Sequence, residues 1–263
     1  MSMDTLVKGG TERMLPIPSP ETVEQALRLS RYGELHTIGA LRKQHALADE
    51  GSYFTTHNNQ TAITGPAGSA FSATAAMLLI FNGDSASSLT AKRLYLDYVA
   101  LLNGGTAMSN STSNTGTFWA LAIDSGNRYS SGGTNLTANI VNTNRDVSVS
   151  SNASVYFGAV TATAANAARV LVGQRLFREP VSATALSLAN MDDWLFNFGG
   201  VEGGPAHPAG SSGTVQANIA HKTFNCPPLV IGPQQSLVLY MWLTANSGQT
   251  AGTFFPELGW WER

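Results

Sequence analysis

From Gly51 onward the chain is a succession of apolar runs, each roughly five to ten residues long, divided by Gly, Asn, Ser and Thr, and this spacing excludes most folds. "ATAAMLLIFNG", "KRLYLDYVALLNGG", "GTFWALAIDSGN", "ARVLVGQRLF", "DDWLFNFGG", "SLVLYMWL" and the terminal "GTFFPELGWW" read as strands from their β-branched and aromatic content. Weaker strands are expected in "NIVNTNRDVSVS", "SVYFGAVTA" and "TVQANIAHKTF". No helical pattern lies between the runs, which argues against a parallel α/β sheet. No repeat of about 20 to 50 residues occurs, which argues against a propeller or solenoid. The linkers "NGGTAMSNSTSNTG" and "SGNRYSSGGTNLTANIVNTNRD" are long enough to cover a surface or make contacts. The expected fold is therefore mainly β: a jelly-roll-like antiparallel β-sandwich over residues 51–263, larger than an immunoglobulin-like domain of about 100 residues.

Several runs are apolar on both faces. In "SLVLYMWL", Leu237, Leu239, Met241 and Leu243 alternate with Val238, Tyr240 and Trp242, so neither face of the strand is suited to water. A sandwich strand normally has one wet face. The second apolar face calls for cover from a loop, from the N-terminal segment or from another subunit.

The chain ends on a doubled tryptophan. Read as a strand, "FFPELGWWER" places Phe254, Leu258 and Trp260 on one face and Phe255, Glu257, Trp261 and Arg263 on the other, with Pro256 marking an edge position or a bulge. Trp260, Leu258 and Trp242 are expected core anchors. Phe255, Trp261 and Arg263 are expected at a subunit or arm interface, with Arg263 or Glu257 as polar neighbours of Trp261.

Residues 1–50 differ in character, holding six of the 15 Lys and Arg and seven of the 17 Asp and Glu. "LPIPSPETVEQALRLSRYGEL" predicts a short helix over about 20–31: Ser19 can cap, Pro20 suits the first helical position, and Glu21 and Glu24 sit at its positive end. Val23, Ala26 and Leu27 share a face, so Val23 and Leu27 are expected to dock on the main domain or on a neighbouring subunit.

Charged residues make up 12% of the chain, about half the ordinary share, and a surface so poor in charge favours packing into an assembly. The net charge of -2 and the lack of a basic run leave no electrostatic footprint for nucleic acid. The opening residues lack a signal-peptide apolar run and no stretch approaches the ~18 apolar residues of a membrane helix, so a chain made in a cytoplasm is expected. Cys226, the single cysteine, allows no intrachain disulfide and reads as a small buried apolar residue.

The sequence contains no G-x-S-x-G, P-loop, dinucleotide fingerprint or H-E-x-x-H, and His36, His45, His57, His207 and His221 stand at no zinc-ligand spacing. Asp192-Asp193 reads as a turn, because adjacent residues entering a strand point opposite ways. Asp97 interrupts "LYLDYVALL", so it either faces solvent or pairs with an arginine across the sheet. No catalytic, cofactor-binding or metal site is assigned. Trp119, Trp194, Trp242, Trp260 and Trp261 all lie within apolar runs, which favours packing over a sugar platform.

At "CPPLVIGPQQSLVLYMWL" and "FFPELGWWER", with "HALADEGSYFTTHNNQTAITG" and "DSGNRYSSGG", the chain resembles a family of tailed-bacteriophage virion structural proteins, through most of the stretch from His45 to Arg263. The resemblance implies a jelly-roll-like protein of the virion, a homotrimeric capsid decoration or cement protein that contacts itself and the major capsid protein or other virion proteins. It implies no cofactor and no catalytic residue. A tail, baseplate, neck or fibre component, a carbohydrate-binding receptor module and a jelly-roll major capsid protein are the alternatives. Against the last, the N-terminal segment lacks the basic charge that packaged phosphates demand.

Overall fold

The computed structural model describes residues 47–85, 90–104, 114–180, 193–198, 221–243 and 251–263. Along these the strands are β1 (Tyr53–His57), β2 (Ile63–Thr64), β3 (Ala75–Asn82), β4 (Leu94–Asn103), β5 (Asn114–Asp124), β6 (Tyr129–Asn135), β7 (Val141–Asn142), β8 (Ala153–Ala162), β9 (Val170–Pro180), β10 (Asp193–Phe198), β11 (His221–Cys226), β12 (Val230–Ile231), β13 (Ser236–Leu243) and β14 (Thr253–Glu262), with a 3-10 turn at Thr137–Asn139. All seven strong sequence runs fall on strands. The linker "SGNRYSSGGTNLTANIVNTNRD", expected as loop for its first half, carries β6 there, and "TTH" supplies part of β1, whose short, half-polar composition gives little signal.

The strands form two sheets. The first has the order β11-β10-β4-β14-β1-β7, with β12 added beside β4 and β2 beside β14; the second has the order β6-β8-β3-β13-β5-β9. Taking β1, β3, β4, β5, β9, β10, β13 and β14 as the principal strands, the first pairs with the last, the second with the seventh, the third with the sixth and the fourth with the fifth, every pair antiparallel. That nested pairing is one long antiparallel ribbon rolled upon itself, which defines the jelly roll. The segment between β5 and β9 widens both sheets on one side: β8 and β6 extend the second sheet beside β3, while β7 extends the first beside β1. β11 lies parallel to β10 beyond the opposite side.

The core fills the space between the sheets. Trp260 stacks on Phe54 at 6.3 Å, and Trp119 meets Trp194 and Phe196 at 5.1 and 4.9 Å. Leu237, Leu239, Met241 and Leu243 of β13 and Leu94, Leu96, Val99 and Leu101 of β4 complete it. Each fully buried large side chain contributes about 1.5–3 kcal/mol of transfer free energy. Two polar side chains that enter the core, Glu262 and Asn82, are paired, whereas the buried Trp119 Nε1 has no hydrogen-bond partner among the described residues. Glu262 is buried and accepts hydrogen bonds from Trp260 Nε1, from the Ser151 hydroxyl and from the Asn152 backbone N–H. Asn82 donates to the carbonyls of Lys92 and Ile231, tying β3 to the chain ahead of β4 and to β12.

Gly158, at φ +103°, lets β8 bulge against β2 and so joins the two sheets. A Cβ there would lie 2.6 Å from Ile63 Cγ2 and 2.8 Å from the Thr64 carbonyl, so only glycine fits.

β14 is not the edge strand that Pro256 implied: it is central, between β4 and β1. Pro256 pairs with Leu101 on one side, while on the other the β2 pairing ends at Phe254 and the β1 pairing begins at Glu257. The missing N–H thus falls where one side of the ladder is interrupted. The bulge lies on β4, where Asp97 is the extra residue between Leu96 opposite Trp260 and Tyr98 opposite Gly259.

Candidate functional site: the outer face of the first sheet

The face of the first sheet turned away from the core is built in cross-strand rows. Val230, Tyr95, Trp261 and Tyr53 form one; Asn197, Tyr98, Gly259, Thr55 and Val141 form the next; Leu195, Ala100, Glu257 and His57 form the third. Leu102 opposite Phe255 adds a further pair. Tyr95 and Trp261 stack with parallel ring planes, 5.6 Å between centroids and 1° apart.

Two tyrosines cross this surface in opposite directions. The Tyr53 hydroxyl reaches from β1 over β14 to donate to Asp97 Oδ2 on β4 at 2.8 Å, and the Tyr98 hydroxyl reaches from β4 to donate to Glu257 Oε1 on β14 at 2.5 Å. Both pass over Gly259, where a Cβ would sit 2.4 Å from Tyr98 Cε1 and 2.6 Å from Tyr53 Oη. Glycine at this position therefore lets the rings lie down on the sheet. Burial, and then the carboxylate each phenol faces, push Tyr53 and Tyr98 well above the usual tyrosine range, so both stay protonated donors. Asp97 is thus matched by a phenol and not by an arginine; the bulge that exposes it is the reason a carboxylate fits in an apolar run.

The outer face of the second sheet is closed. Ala76, Leu79, Ala120, Ala122, Val160, Val238 and Tyr240 form a second buried cluster there. The chain between β2 and β3 folds over it: Phe71 meets the rings of Tyr240 and Trp242 at 5.1 and 5.2 Å, Leu243 N–H donates to Gly68 O, and the Tyr240 hydroxyl to Ala73 O. Arg169 pins this cover. Its Nε lies 3.0 Å from Asp124 Oδ2, and its Nη1 donates to Ala73 O and to the Tyr240 hydroxyl. Arg128 Nε is 2.8 Å from Asp124 Oδ1, outside good hydrogen-bond direction, so that contact is an ion pair only. The cover that the two-faced strand β13 requires is supplied, at Tyr240 and Trp242, by the chain's own loop.

The residues singled out from sequence distribute as follows. Leu258 and Trp260 lie in the core between the sheets. Trp242 does not: strand parity sends Leu243 and Met241 inward, so Trp242 stands half-buried on the outer face of the second sheet, stacked on Phe118 at 5.1 Å and 4°. Trp261 and Phe255 are half-buried on the outer face of the first sheet. Trp261 stacks on Tyr95, Arg263 is held at 3.1 Å by Glu50, and Glu257 accepts from the Tyr98 hydroxyl. Val23 and Leu27, with the helix over 20–31, lie outside the described residues, as do His36, His45, His207 and Asp192. Cys226, read as buried, is half-buried at the end of β11 and packs against the core. Sequence reasoning missed Tyr53, Tyr95, Tyr98 and Gly259, since only the register of three strands brings them together.

Among the described residues no group of three His, Cys, Asp or Glu could hold a metal ion, and no helix is long and apolar enough to cross a membrane. Comparisons with protein-family models, with curated proteins and with solved structures found no match.

Proposed function

We propose that this chain is a non-enzymatic structural protein of a bacteriophage virion, a homo-oligomeric decoration protein that stabilises the capsid from outside. The observation that carries this reading is a jelly roll that keeps large apolar side chains in the open on the loop covering its second sheet and on the end strand of that sheet. Phe71, Val170 and Leu171 are 45%, 59% and 54% exposed, and Arg169 links the loop of the first to the start of β9, the end strand of that sheet. Exposed apolar side chains on a terminal strand and on a covering loop favour a protein partner. The charge-poor composition and the resemblance to tailed-phage virion proteins point the same way.

The test is to purify particles and find the chain in them by mass spectrometry and in a density map. Density repeated at icosahedral lattice positions on the head is the expected result. Density on the tail axis would transfer the protein to the tail, and its absence from particles would overturn the virion reading.

A further inference from the structure

The outer face of the first sheet has chemistry that the virion reading does not use. Its rings are immobilised in advance, because Tyr53 and Tyr98 are each tied to a carboxylate across the strands and Tyr95 is stacked on Trp261. A surface whose side chains are already ordered loses little conformational entropy when a ligand settles on it. Each carboxylate offers about four lone-pair sites and each takes one tyrosine hydrogen bond from this set, so Asp97 and Glu257 retain acceptor capacity beside the rings. Around the rings lie apolar side chains left open, Val230 at 39%, Leu102 at 41% and Val141 at 38% exposure. Arg263, whose guanidinium lies near the end of this face, is engaged by Glu50.

A ligand for this surface must present a weakly positive apolar face to the electron-rich rings and several hydroxyl donors to the carboxylates. It must carry no negative charge, since Asp97 and Glu257 would repel it. A second copy of the same face is disfavoured for that reason: a two-fold contact gathers the carboxylates of both copies, and Arg263 at the end of this face is already engaged by Glu50. We propose that this face binds a neutral saccharide chain, whose C–H faces lie on the Tyr98 ring spread over Gly259 and along the edge of the Tyr95–Trp261 stack, and whose hydroxyls donate to Asp97 and Glu257. The proposal stands independently of where on a particle, or whether on a particle, the chain resides.

The experiment is affinity electrophoresis of the full chain in native gels cast with a β-glucan, a mannan or dextran, and in a fourth gel with heparin as a polyanion. Retardation in at least one neutral polysaccharide and none in heparin is expected. Trp261→Ala and the shape-preserving Glu257→Gln should each weaken that retardation about tenfold in apparent affinity, with unchanged circular dichroism. No retardation in any neutral gel overturns the proposal, as does retardation that survives Glu257→Gln and Trp261→Ala. A sedimentation profile in which Trp261→Ala dissociates an oligomer of the parent chain also overturns it, and would assign the face to a second copy.

Discussion

The two outer faces of this jelly roll handle the same problem in opposite ways. Both carry tyrosine and tryptophan outside the core, but the second sheet covers its aromatics with Phe71, the backbone of residues 68–73 and an ion cluster at Asp124, whereas the first sheet lays Tyr53 and Tyr98 flat, burying Tyr53 and leaving Tyr95, Tyr98 and Trp261 half-buried. The charge partners differ accordingly. Tyr240 on the closed face meets a guanidinium, and Tyr53 and Tyr98 on the open face meet carboxylates. Cover by one's own chain serves stability; an aromatic surface pinned by its own carboxylates, with spare acceptors, serves contact.

The largest expected effect falls on the closed face. Asp124→Ala leaves the buried Arg169, whose side chain is 3% exposed, without its carboxylate, and the loss in urea denaturation should be about 3–5 kcal/mol. A loss below about 1 kcal/mol would mean that the ion cluster does not hold the cover in place.

Gly259→Ala is the corresponding challenge to the open face. The new methyl must displace the Tyr98 ring and the Tyr53 hydroxyl, at a cost of about 1–3 kcal/mol, with a change in the near-ultraviolet tyrosine dichroism. Unaltered dichroism would show that the rings do not lie over Gly259. Trp261→Ala removes an exposed-face stack and should cost about 0.5–1.5 kcal/mol by the same denaturation assay, far less than the same change at its core neighbour Trp260.

The smallest effect is on pH dependence. Because the folded state raises Tyr53 and Tyr98, their contribution to stability is complete below the unfolded tyrosine value of about 10 and declines as pH rises above it. Burial raises Tyr240 too, but Arg169 opposes that shift. Tyr53→Phe should therefore flatten the alkaline fall in denaturation midpoint more than Tyr240→Phe does; the reverse order would break the contrast between the faces.

Much of this contrast is legible in the chain. Strand parity in "SLVLYMWL" is enough to reveal a second apolar face, and the doubled tryptophan separates core from surface by the same rule. What parity cannot reveal is which element covers a face, because the contacts of Phe71 and Arg169 with Tyr240 span long stretches of sequence. Trp242 departs from its expected core position for that reason: a large apolar ring predicts burial, and here it is half-buried against Phe71 on the other side of the sheet. Of the two readings of Pro256 the edge position fails in another way, since a break in one ladder lets proline sit in a central strand, while the bulge lies three residues on, opposite Gly259 and Trp260. The tyrosine platform has no local signal because its members come from β1 and β4 and meet only across β14.

The difference between the faces is tested most directly by hydroxyl-radical footprinting of the full chain, read residue by residue by mass spectrometry. The account predicts fast modification of Trp261 and Tyr95 and protection of Tyr240 and Trp260. Tyr240 reacting as fast as Trp261, or Trp261 protected as fully as Trp260, would contradict it.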